Sequence, residues 1–97
     1  MTNNSADVIR LETVMDLTMA EELRNQFMER LNLSGNVSVD ASEVDVITSP
    51  CVQVLLSAAQ SLAKNGRKID FISPSEAFVA TFDELGVSNS HEGWSFV

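Results

Sequence analysis

Basic side chains are scarce in this sequence of 97 residues, with 6 lysines and arginines against 14 aspartates and glutamates and a formal net charge of -8. A surface that negative repels phosphate backbones and anionic headgroups, so nucleic acid and membrane surfaces are poor partners and a protein is the expected one. Cysteine is reduced to Cys51 alone, which excludes an internal disulfide. No apolar run approaches the length that spans a bilayer. The opening MTNNSADVIRL lacks the basic-then-apolar order of a secretory signal, so a cytoplasmic protein is expected. Internal repeats and low-complexity stretches are also missing.

The residues present suit one small core. With 44% hydrophobic residues, the chain can form a single domain and has no room for a second. Residues 1–6 are small and polar and are expected to be a flexible N-terminus, with residues 7–97 as the domain. Val8 to Leu11 reads as a short strand, and Glu12 to Met15 as its continuation or a turn out of it. Thr18 followed by Glu21 has the order of a capping box, and Ala20, Leu23, Phe27 and Leu31 recur at helical spacing. Val37, Val39 and Ala41 alternate with Ser38 and Asp40 as a half-buried strand would. The helix that follows carries Val52, Leu55, Leu56, Ala59, Leu62 and Ala63 on one side and ends at Asn65-Gly66. Lys68 to Ile72 is the next strand, and Ser73-Pro74-Ser75-Glu76 opens a third helix with Phe78, Val79, Phe82 and Leu85 as its inward stripe. Trp94 and Phe96 could alternate as a last strand. Strand-helix alternation with short loops implies crossovers, hence an α/β fold with a small, mostly parallel or mixed sheet covered by about three to four helices. Three clear strands are few, and the missing edge is expected from Thr13 to Met15, the tail or a second chain.

The stretch from Val37 to Lys64 organises the rest, because it delivers Thr48-Ser49-Pro50 to a helix start. Proline suits the first helical position, which makes Ser49 the expected cap, set among free backbone donors at the positive end of the helix. A phosphate on Ser49 would meet those donors, whereas Glu43 and Asp45 would repel it, so capping is its first expected role and phosphate acceptance its second. Thr48, Ser49, Pro50, Cys51 and Gln53 together form the expected partner-docking surface, since binding residues tend to lie on loops and helix ends held by a rigid scaffold. Asp40, Glu43 and Asp45 are read as a solvated acidic turn, because no histidine or ordered set of neutral oxygens accompanies them. His91 is read as a surface residue of the tail. Neither Ser49 nor Cys51 has a recognisable base, and no catalytic residue, metal or cofactor is expected. Met28 and Trp94 have no burial assigned by pattern.

Three stretches resemble the STAS domain, the fold of bacterial anti-sigma factor antagonists. They are Asp16 to Leu23, Val39 through Ser49, and Gly66 through Gly86-Val87, in the family's order. In such antagonists the strand-to-helix turn reads Asp-Ser-Ser-Gly, and a partner kinase phosphorylates its first serine. That serine falls on Ser49, the aspartate on Thr48, and the following Ser-Gly on Pro50-Cys51. The helix wording after DASEVD is most similar to short STAS proteins encoded with bacterial chemotaxis genes, whose implied role is to bind a histidine kinase. The resemblance therefore implies a non-enzymatic signalling module that binds a chemotaxis histidine kinase. Its alternatives are an anti-sigma factor antagonist gated at Ser49 and the cytoplasmic STAS subunit of a lipid-transport ATPase.

Overall fold

The computed structural model describes residues 8–31, 35–86 and 93–96. The expected flexible segment 1–6 and His91 lie outside them. The elements run β1 (Ile9–Arg10), β2 (Val14–Met15), α1 (Leu17–Leu31), β3 (Val37–Asp40), β4 (Val46–Ile47), α2 (Ser49–Ala63), β5 (Ile69–Ile72), α3 (Glu76–Glu84) and β6 (Trp94–Phe96). This is a small α/β domain with three helices among the described residues.

Four strands form a parallel sheet in the order β1-β3-β5-β6, and β2 pairs with β4, also in parallel, as a separate two-stranded sheet. The tail therefore supplies the missing edge of the main sheet as β6. Thr13 to Met15 does not join that sheet. It pairs with Val46–Ile47, a strand that alternation did not disclose because it is two residues long and flanked by an acidic turn.

Registration explains the one-sided core. Ile9, Val39 and Phe71 lie across from one another, as do Val37, Ile69 and Trp94, and all six are buried. Because side chains alternate across a strand, these share one face. Their neighbours Arg10, Ser38, Asp40, Asp70 and Ser95 point the other way and are less buried. Helix α3 covers the apolar face with Phe78 and Phe82, whose rings lie 5.1 and 5.7 Å from that of Phe71. Trp94 closes the cluster, with its ring 5.4 Å from Phe82. Helix α2 lies so close to the start of β6 that a Cβ on Gly93 would stand 2.7 Å from the carbonyl carbon of Ala59 and nearer still to its oxygen.

In α1 the spacing predicted Ala20, Leu23 and Phe27 correctly as buried. In α2, Val52, Leu55, Ala59 and Leu62 are buried with Cys51 and Ala58, while Leu56 and Ala63 are only partly covered. In α3, Val79 and Leu85 are exposed, against expectation. That helix is a nine-residue element, so only Phe78 and Phe82, four residues apart, face the sheet; Val79 is turned about 100° from Phe78, and Leu85 already caps the end. Of the two residues left unassigned, Trp94 is buried and Met28 is half exposed.

All three expected caps shift by register. Helix α1 begins at Leu17, and the carboxylate of Asp16 accepts from the backbone N–H and the hydroxyl of Thr18 at 3.1 and 2.6 Å. An ionised acceptor at that place outcompetes the expected Thr18–Glu21 box. The cap of α2 is Thr48, not Ser49, and Ser49 is already helical. In α3 the cap is Ser75 and not Ser73, the residue that precedes Pro74 in the expected cap-proline-glutamate order: the Ser75 Oγ accepts from Phe78 N–H at 3.1 Å and donates to Val44 O at 2.6 Å. At the start of β5, the Arg67 guanidinium donates to the carbonyls of Gly35, Leu31 and Arg30 at 2.6, 3.0 and 2.9 Å, tying the end of α1 to the entry of β5.

Candidate functional site

The two-stranded sheet is what builds the turn. Parallel pairing of Met15 with Ile47 brings the ends of β2 and β4 side by side, so the starts of α1 and α2 emerge together. Thr48 is locked there, because its N–H and its hydroxyl both donate to Met15 O, at 3.0 and 3.1 Å. The hydroxyl is consequently not free to cap the helix, and α2 opens without a side-chain cap. The carbonyl of Thr48 accepts from Cys51 and Val52 N–H, and Pro50 in the first turn has no N–H to leave unmet.

The expected docking residues divide by burial. Ser49, Pro50 and Gln53 are exposed and Thr48 is half-buried. Cys51 is fully buried, and its thiol donates to Asp16 O at 3.2 Å, so it braces the two helix starts and does not belong to the contact surface. Burial foremost, with Asp16 adding to it, pushes the Cys51 thiol up from its ordinary value despite a hydrogen bond with Thr48. The thiol is therefore a packing group held neutral, with no thiolate character. Of the two hydroxyls at the turn, that of Thr48 is committed to the backbone and that of Ser49 faces solvent.

The acidic loop before β4 also has an assignable job. One oxygen of Asp40 accepts from Ser42 Oγ at 2.7 Å and Ser42 N–H at 3.0 Å, which holds its carboxyl below the usual range and folds the turn that leads to β4. Asp16 is lowered in the same way, first by the Thr18 hydroxyl. Among the described residues no group of histidine, cysteine and carboxylate side chains is arranged to hold a metal ion.

Three residues that the sequence did not single out as site residues stand beside the turn. Val14 and Val46, paired across the small sheet, are 49% and 50% exposed, and Leu17 at the start of α1 is 70% exposed. Val46 and Leu17 each follow an aspartate and Val14 lies between Thr13 and Met15, settings too common for an apolar residue to single out a site. Neither strand is long enough to show alternation.

A parallel four-stranded sheet backed on one face by helices, with a strand-to-helix turn presented beside a second small sheet, defines an α/β scaffold with an exposed helix start. The family described as "Mlab, STAS domain" matches residues 2–92, and the chain belongs to this STAS domain family. No curated protein matches the sequence. Among solved structures, a crystal structure from Thermotoga maritima, described as a candidate anti-sigma factor antagonist, has the same fold. Its TM-score is 0.74 at 17% identity, over 92% of this chain and 80% of that one. No helix among the described residues is long and apolar enough to cross a membrane.

Proposed function

We propose that this chain is a non-enzymatic interaction module that docks a signalling kinase, a chemotaxis histidine kinase first among them, through Thr48, Ser49, Pro50 and Gln53. The observation that carries this reading is the turn itself: exposed side chains sit on a backbone pinned by Thr48 to Met15 and braced by Cys51 to Asp16. A contact surface held this way loses little freedom on binding, which favours affinity. The STAS membership and the antagonist-like fold support an interaction role for the domain.

Calorimetric titration of the chain with the purified kinase tests the proposal. Gln53→Lys, an exposed change that leaves the core alone, is expected to weaken binding at least about tenfold, or ~1.4 kcal/mol. Absence of binding by the wild-type chain, or an unchanged Kd for Gln53→Lys, would refute it. A second reading is favoured by the description of the matching family: the partner is then the ATPase of a lipid transporter, docked on the same turn. Binding of that ATPase, and not of the kinase, would replace the first reading with the second. Regulation at Ser49 fits either partner, because Ser49 is the exposed hydroxyl of the pair.

A further inference from the structure

Charge is sorted along the strand axis of this domain. The segments that build the turn, Leu11 to Leu23 and Ala41 to Ala63, contain Glu12, Asp16, Glu21, Glu22, Glu43 and Asp45 and no lysine or arginine. The cations collect elsewhere. Arg30 ends α1, Lys64 follows α2, and Arg67 and Lys68 precede β5, where Arg67 is bonded to Leu31 and Gly35. Parallel strands with returning helices make that the opposite end of the molecule. Arg24 lies midway along α1, and Arg10 lines a small cleft with Glu12, Asp40 and Glu43, so carboxylates already surround it.

Within this negative end, Val14, Val46 and Leu17 leave apolar surface in water beside the docking turn. Isolated exposed valines are ordinary, but two paired across a sheet next to an exposed leucine form one patch. A second copy docking patch to patch would bring the same carboxylates face to face, which like-charge repulsion disfavours.

We infer that the patch formed by Val14, Val46 and Leu17 extends the docking turn, and that it receives a partner segment with an apolar side chain flanked by lysines or arginines. This inference rests on the proposal that the turn binds a protein. The apolar side chain supplies the contact, and the flanking cations find Glu12, Asp16 and Asp45 around it. Such an encounter is steered by charge and weakens as salt screens it, with a Debye length of about 10 Å at 0.1 M.

The test is a nuclear magnetic resonance titration of the intact chain with two short synthetic peptides, each with a central leucine pair, one flanked by lysines and one by glutamates. The lysine peptide is expected to move the amides of Val14, Leu17, Val46 and Ser49, and the glutamate peptide to move none of them. The double variant Val46→Ser/Leu17→Ser, which keeps every charge, is expected to weaken the lysine peptide about tenfold. Unmoved amides at the patch, equal response to both peptides, or full affinity in the double variant would overturn the inference. So would a dimer of the chain alone that the double variant abolishes. In the kinase titration, binding weakened by Gln53→Lys and untouched by the double variant would keep the docking turn and sink its extension.

Discussion

Gly93 offers the sharpest test of how the sheet edge is held. Its φ is +84°, and a Cβ placed there would stand 2.7 Å from the carbonyl carbon of Ala59 and closer to the oxygen. Gly93→Ala therefore meets two separate penalties. Holding a side chain in left-handed backbone costs about 1–2 kcal/mol. Forcing α2 away from β6 costs about 1–3 kcal/mol, because a backbone carbonyl inside a helix has no rotamer to change. The sum, about 2–5 kcal/mol, is a large share of the 5–15 kcal/mol typical of a small domain. It acts on a joint that matters, since Gly93 O accepts from Ile69 N–H at 2.7 Å and Trp94 next to it is buried against Phe71 and Phe82. Trp94 is also the single tryptophan, so its fluorescence reports this joint directly. In urea, with a slope of about 1.5 kcal/mol per molar, Gly93→Ala is expected to lower the unfolding midpoint by roughly 2 M. A shift below about 0.5 M at unchanged slope would show that α2 does not press on Gly93, and the account of the β6 edge would fail.

Two further perturbations probe the loops that set the turn. Ser75→Ala removes both a cap on Phe78 N–H and a donor to Val44 O, and is expected to cost about 1–2 kcal/mol in denaturant unfolding; a loss under about 0.5 kcal/mol would mean the cap is idle. Ser42→Ala tests the Asp40 turn through pH. Ser42 depresses the folded carboxyl below its unfolded value, so its stabilisation is present above the unfolded carboxylate pKa, about 3.9, and is lost as pH falls through the folded value. The stability gap between wild type and Ser42→Ala should therefore narrow as pH drops below about 4, and a gap constant with pH would contradict the assignment.

Elements whose periodicity runs over several turns were legible before any coordinates. Ala20, Leu23 and Phe27, and again Val52, Leu55, Ala59 and Leu62, sit where their spacing put them, because a helix repeats its burial every three to four residues. The start of α3 was legible for a similar local reason, since hydroxyl, proline and acidic residue follow one another within a few positions, but the cap fell two residues later, on Ser75. Val79 and Leu85 misled because a helix this short has only one inward row, and pattern alone could not say where it ended.

The site was half legible. The position of the turn follows from Thr48-Ser49-Pro50 in sequence, but which residue caps, which hydroxyl is spent and which side chain is buried were decided by β2. Met15 O lies 33 residues away from Thr48 in the chain and takes the Thr48 hydroxyl that would otherwise cap, while Asp16 O takes the Cys51 thiol. No local preference encodes a bond of that span. The sequence by itself determined the helix faces, the acidic balance and the hydroxyl-proline helix start, all of which rest on neighbours a few residues apart. Tertiary structure alone decided the pairing of β2 with β4, the addition of β6 to the sheet and the exposed valine pair, because two- and three-residue strands exist only through partners distant in the chain.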